Sequence, residues 1–236
     1  MTDNLEPICY HDGKTALTGW LASPAGQPRA AIILFPTIAN VNPPMERRAK
    51  MLADADYLTM IADFYGETVD SFEAAGTLAK TLRADAETFR ARLRAGIAAL
   101  RAHPGAAQLS MAAIGFCMGG QAALEAARDG ADLVAVVSFH GLLDTQRPAR
   151  PGAVKSRILV CHGDADPMVS RAQVLAFWAE MDAAGANWHF HSYSDVRHGF
   201  TDPGSNARGL PAIAYDASAD RQSWAAMLSL FDEVFG

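Results

Sequence analysis

Ala112-Ala113-Ile114-Gly115-Phe116-Cys117-Met118-Gly119-Gly120 decides how the rest of the chain is read. Ala112–Phe116 is a short apolar run of the kind that forms a buried strand, and a helix is expected to begin directly afterwards, over Gly119–Arg128. Between them stands one cysteine inside a G-x-C-x-G frame. A residue on so abrupt a strand-to-helix turn is forced into a strained backbone. Side chains two positions before and after it would collide, so glycine is required at both. The turn also leaves the Cys117 sulfur beside the free N–H groups of a helix start, where an anion is favoured and a thiol pKa falls. Phosphate binding fits poorly. Gly115 and Gly120 have P-loop spacing, but Gln121 and Ala122 stand where Lys and Ser/Thr belong.

Outward from this point the chain alternates. Extended segments are expected at Pro7–His11 and Leu17–Ala22, then strands at Ala31–Phe35 and Leu58–Ala62 on either side of a helix over Met45–Ala55. Leu78, Leu82, Phe89, Leu93, Ile97 and Leu100 recur at helical period, which predicts one long helix within Ala74–Arg101. Beyond the elbow come strands at Leu133–Phe139, Ile158–His162 and Trp188–Tyr193, with helices at Arg171–Ala184 and Ala219–Phe235. Such alternation implies an α/β fold with a mainly parallel central sheet and helices on both faces, because parallel neighbours need helical crossovers. With no repeat and no linker, residues 1–236 read as one domain.

Composition narrows the partners. A net charge of -6 gives no general attraction for phosphate backbones, so nucleic acid is not expected. Arg83, Arg90, Arg92, Arg94 and Arg101 fall in one stretch, but Asp85 and Glu87 sit among them, as on a solvated helix face. The start, MTDNLEPICYHD, carries early acids and does not read as a signal peptide; the apolar run Ala30–Phe35 is too short to span a bilayer. Cys9, Cys117 and Cys161 are an odd number without CxxC spacing, which argues against a disulfide framework or zinc site. A reducing, cytoplasmic setting is expected, and no membrane partner.

In parallel sheets chemistry collects in loops after strands. His162-Gly163-Asp164-Ala165-Asp166-Pro167 follows one strand and offers a carboxylate. Asp164 suits a turn-shaping role, and Asp166, held extended by Pro167, is the preferred acid. Arg197-His198-Gly199-Phe200 follows the next strand. Of seven histidines, His198 alone combines a loop after a strand, a following glycine and the last place in the order nucleophile, acid, histidine. That order is the one used by α/β-hydrolases, and it makes Cys117, Asp166 and His198 the candidate catalytic set. His189 and His191 share a strand face without an evident third ligand, so a structural role is expected there. His140 and His162 end strands and are placed to line a pocket, His11 and His103 suit the surface, and Cys161 suits the core.

With these motifs the chain resembles the dienelactone hydrolase (carboxymethylenebutenolidase) family over nearly its whole length. The resemblance rests on Phe35-Pro36-Thr37-Ile38 with Asn42, Asp63-Phe64-Tyr65-Gly66, the cysteine elbow, the His162–Pro167 segment and His198-Gly199-Phe200, with Tyr215 and Trp224 beyond. It implies an α/β-hydrolase fold, a Cys117–His198–Asp166 triad, an oxyanion hole from the backbone N–H groups of Ile38 and Met118, and no metal or other cofactor. Thr37, Tyr65 and Phe200 are the implied substrate contacts. The implied substrate is a small ester, lactone or thioester; oligomeric state is left open. A general carboxylesterase or thioesterase, a non-catalytic binding protein and a redox-sensing thiol are the other readings. Two positions depart from the family pattern: Thr37 stands where a glutamate is common, and Asp202 follows His198 where an arginine is common. Arg83 is the candidate substitute cation.

Overall fold

The computed structural model describes residues 5–236, so the first four residues of the acidic start lie outside it. The strands are β1 (Glu6–Asp12), β2 (Thr15–Ala22), β3 (Ala30–Phe35), β4 (Tyr57–Ile61), β5 (Met111–Phe116), β6 (Ala135–Phe139), β7 (Arg157–Gly163) and β8 (Asn187–Tyr193). They form an eight-stranded sheet in the order β1-β2-β4-β3-β5-β6-β7-β8. β1 and β2 are an antiparallel hairpin closed by Gly13 and Lys14, with Gly13 at φ 57°, and β2 runs antiparallel to β4. β3 with β4, β6 with β7 and β7 with β8 are parallel. β3, β4, β5 and β6 are buried throughout, as expected of strands covered on both faces. The helices are α1 (Pro43–Ala53), α2 (Phe72–Arg83), α3 (Ala86–Ala102), α4 (Met118–Arg128), α5 (Arg171–Ala184) and α6 (Ala217–Phe235).

The long helix expected within Ala74–Arg101 is two. The Asp85 carboxylate accepts from the N–H groups of Glu87 and Thr88, which ends α2 and caps α3. A side chain that takes two backbone donors competes with continuation of the helix, whatever the apolar stripe beyond it. α1 starts two residues earlier than expected, at Pro43. Asn42 caps it, and a proline at the first helical position gives up an N–H that would have no partner there.

The chain forms two compact units, one running to Ile114 and one from Gly115. The first is tied together at Asp63, a buried carboxylate just after β4. Its oxygens accept from the N–H groups of Thr18, Tyr65 and Gly66 and from Asn40 Nδ2, at 2.8–3.0 Å. The Asp63 main chain is held as well: its N–H donates to the Tyr10 hydroxyl, which donates to its carbonyl. Burial raises the Tyr10 phenol, so it stays neutral and can donate. Asn40 sits at φ 57° and returns its Oδ1 to the Phe64 N–H, and the Tyr65 hydroxyl donates to the Ile38 carbonyl at 3.1 Å. One carboxylate thereby shapes the 37–40 turn and the 63–66 turn together. In the second unit the fully buried Arg128 does similar work, bonding Glu125, Glu180 and the Leu143 carbonyl. Among the described residues no helix is long and apolar enough to cross a membrane.

Asp63→Ala leaves several buried donors without an acceptor, at a cost of about 1–3 kcal/mol each before water and relaxation compensate. We expect a loss of at least about 3 kcal/mol in urea unfolding, with a smaller loss for Asp63→Asn, which keeps one acceptor oxygen. Equal midpoints for wild type and Asp63→Ala would contradict this account.

Candidate active site

Cys117 occupies the turn between β5 and α4 at φ 57°, ψ -119°, a region that non-glycine residues rarely visit. Its N–H donates to the Phe139 carbonyl at 3.0 Å and to His140 Nδ1 at 3.1 Å, while its carbonyl accepts from the N–H groups of Gly120 and Gln121. The turn closes only because Gly115 lacks a side chain. A Cβ there would lie 1.8 Å from the Gly119 carbonyl oxygen. At Gly120 a Cβ would lie 2.7 Å from Ser138 Oγ and 2.8 Å from Gly141 Cα, so this glycine serves close packing of α4. Cys117 keeps partial exposure, whereas Cys161 is fully buried and burial pushes its thiol up to about 12. Of these two cysteines of the second unit, only Cys117 sits in an environment suited to a thiolate.

Asp166 and His198 meet at hydrogen-bond distance. His198 Nδ1 lies 2.7 Å from Asp166 Oδ2, with both side chains buried, and Asp166 Oδ1 accepts from the Met168 N–H at 2.8 Å. Asp164 instead pairs with Arg171 at the surface, which holds its carboxyl below the usual range. The His198 backbone is pinned on both sides, its N–H to the Ala212 carbonyl and its carbonyl to the Ala214 N–H. Gly199, at φ 69°, permits the turn that follows. His198 Nε2 is buried and has no hydrogen bond of good geometry among the described residues. Burial by itself would lower this imidazole, but the charge of the Cys117 sulfur and the hydrogen bond to Asp166 outweigh it, pushing it up to about 10.

His140, expected only to line a pocket, is bonded at both nitrogens: Nδ1 by the Cys117 N–H and Nε2 to Thr201 Oγ1 at 2.8 Å. A ring held at both ends is unsuited to carrying a proton back and forth, which favours His198 as base. His162 is buried, and burial lowers its pKa despite nearby Asp166 and Asp164.

Three expected substrate contacts have other partners. Phe200 is fully buried, edge-on to the rings of His140 and Tyr193. Thr37 Oγ1 accepts from the Ala39 N–H and Asn42 Nδ2, which holds its own turn. The Tyr65 hydroxyl is committed to the Ile38 carbonyl. Ile38 borders a groove of about 480 Å³ lined also by Gly76, Ala79, Lys80, Arg83 and Ala84. Met118 opens α4 directly after the cysteine. Asp202 pairs with Arg208, so its charge is largely balanced within its own loop. Among the described residues no group of three or more His, Cys, Asp or Glu side chains is arranged to hold a metal ion.

Strand order and elbow together define an α/β-hydrolase fold. Within that class the chain belongs to the dienelactone hydrolase family, whose family model matches residues 17–235. It is similar to the solved structure of m3DLH, at 36% identity and a TM-score of 0.93 with 98% of each chain covered. It is also similar to P91, described as a dienelactone hydrolase-like promiscuous phosphotriesterase from metagenomic libraries, at 34% identity and a TM-score of 0.92 with 98% of each chain covered. An uncharacterized Caenorhabditis elegans protein, K02A2.1, is 40% identical over 147 residues, which cover 61% of this chain and 92% of that one.

An interaction that raises the imidazole must equally favour the thiolate, since it stabilises the charged pair. Iodoacetamide labelling of Cys117 is therefore expected to remain fast well below the ordinary thiol pKa of about 8.5, and His198→Ala is expected to move its pH profile up towards that value. Coincident profiles for the two proteins would show that the imidazole does not tune the sulfur.

Proposed function

We propose that this family member hydrolyses small carboxylic esters, lactones or thioesters through an acyl-enzyme on Cys117, with His198 as base and Asp166 as its orienting acid. The observation that carries the reading is the buried His198–Asp166 bond at 2.7 Å. The thiolate attacks the carbonyl carbon, and the carbonyl electrons move onto oxygen. That oxyanion is received by the Met118 N–H at the start of α4, with Ile38 N–H as the second donor implied by the family; loss of one such donor typically costs about 3–4 kcal/mol in the barrier. Collapse expels an alkoxide or thiolate, which takes the proton from His198. The neutral imidazole then removes a proton from water, hydroxide attacks the acyl-enzyme, and the thiolate leaves with the imidazolium restored. Asp166 fixes the tautomer that presents Nε2 to the reacting atoms throughout. Thiolate is a good leaving group, so activated esters and lactones suit this chemistry better than amides. No metal or organic cofactor is needed for these steps.

The similarity to P91 supports a second reading, slow turnover of phosphotriesters by the same nucleophile. A general carboxylesterase, a thioesterase and a binding protein without turnover are separated by the same experiment. That experiment is a substrate panel of aryl esters, small lactones, acyl thioesters and an aryl phosphotriester, each with and without a carboxylate where the chemistry allows.

Cys117→Ala is expected to lower p-nitrophenyl acetate turnover by at least about 10³-fold while circular dichroism and thermal midpoint stay close to wild type. Wild-type turnover in that variant would remove Cys117 from the nucleophile's role.

A further inference from the structure

We propose that His140 is a positioning residue: a neutral imidazole that ties the backbone of Cys117 to Thr201 and so sets how the sulfur faces His198. The proposal rests on the assignment of Cys117 and His198 given above. It adds a second histidine that touches no reacting atom but connects the two segments that do.

The argument begins with hydrogen-bond direction. Cys117 N–H donates to His140 Nδ1 at 3.1 Å, so that nitrogen carries no proton. The proton of the neutral ring is then on Nε2, which lies 2.8 Å from Thr201 Oγ1 and donates to it. Thr201 stands three residues beyond His198 and is itself buried. The imidazole thus spans from the elbow backbone to the loop of the base. Its own backbone is fixed independently, because His140 N–H donates to the Cys161 carbonyl at 2.9 Å and the residue sits at φ 42°. A histidine with positive φ at the end of a strand is uncommon and marks a position the surrounding structure over-determines. The ring is enclosed by aromatic edges, with His198 at 5.1 Å and Phe200 at 5.2 Å between centroids.

Two consequences follow from the neutral tautomer. The Cys117 N–H is held by the ring as well as by the Phe139 carbonyl, which resists relaxation of the strained turn. The ring is also a neutral neighbour for the His198–Cys117 pair. A cation there would face the His198 imidazolium and could no longer accept from the Cys117 N–H. Among the ionisable side chains, the His198 ring stands edge-on to His140 at 5.1 Å between centroids.

Two substitutions separate the bridge from mere packing. His140→Phe keeps a ring of similar size and loses both hydrogen bonds. His140→Asn supplies Oδ1 close to where Nδ1 accepts, and asparagine tolerates positive φ. We expect His140→Phe to lower kcat for p-nitrophenyl acetate by about 10²-fold, the typical effect of a displacement near 1 Å, with KM within about threefold. Its Cys117 alkylation profile should move towards that of a free thiol. His140→Asn should recover at least about tenfold of the lost kcat and most of the alkylation shift. Thr201→Val removes the far end of the bridge and should shift both readouts in the same direction by a smaller factor; it decides the matter if His140→Phe does not fold. Wild-type kcat and alkylation in the Phe or Val variant overturns the proposal. So does equal impairment of the Phe and Asn variants. Alkylation is read without turnover, so its outcome is distinct from failure of the nucleophile assignment, which only Cys117→Ala reports.

Discussion

The site depends on a backbone conformation that the chain would not adopt unaided. A non-glycine residue at φ 57°, ψ -119° lies in a sparsely populated region, at a cost of order 1–3 kcal/mol. The surrounding structure holds it there: the Cys117 N–H has two acceptors, its carbonyl receives the first donors of α4, and Gly115 leaves the space in which the chain reverses. The strain puts a sulfur beside a helix start with part of its surface open. Cys161, on strand β7, is instead fully buried, and that environment opposes ionisation.

At His198 burial is opposed by neighbouring groups. Desolvation penalises an imidazolium, and with no partner the ring would stay neutral. Asp166 on one nitrogen and the sulfur's charge reverse that outcome. The carboxylate can do this because its other oxygen is anchored to the Met168 N–H and because Asp164, two residues earlier, is drawn outward by Arg171. The two acids in one short segment thus have different fates. One pairs with Arg171 at the surface, and the other is buried against His198.

The first unit uses the same principle for a different end. Asp63 takes backbone donors from β2 and from its own turn and a side-chain donor from Asn40, so three separate segments share one acceptor. Tyr65 extends the network to the Ile38 carbonyl. Buried carboxylates of this kind have high stakes: satisfied, they specify one arrangement of loops, and unsatisfied, they would be among the costliest groups in the protein. Residues quoted as family motifs, Asp63-Phe64-Tyr65-Gly66 among them, are here mainly devices for holding turns.

Periodicity and turn chemistry were enough to read the alternation of strands and helices, the elbow and the segments that carry Asp166 and His198, because each leaves a local mark. The break between α2 and α3 also had a mark, Asp85 followed by Thr88, but the apolar stripe running through both helices masked it. His140 had none. Its role comes from bonds to Cys117 and Thr201, 23 and 61 residues away, and no local pattern encodes such pairings. The same holds for the burial of Phe200, the balancing of Asp202 by Arg208, and the commitment of Tyr65 to Ile38. Sequence by itself determined which groups could react, since reactivity belongs to residue type and local turn. Tertiary structure decided which of them are free to do so, because hydrogen-bond partners are assigned only when distant segments pack.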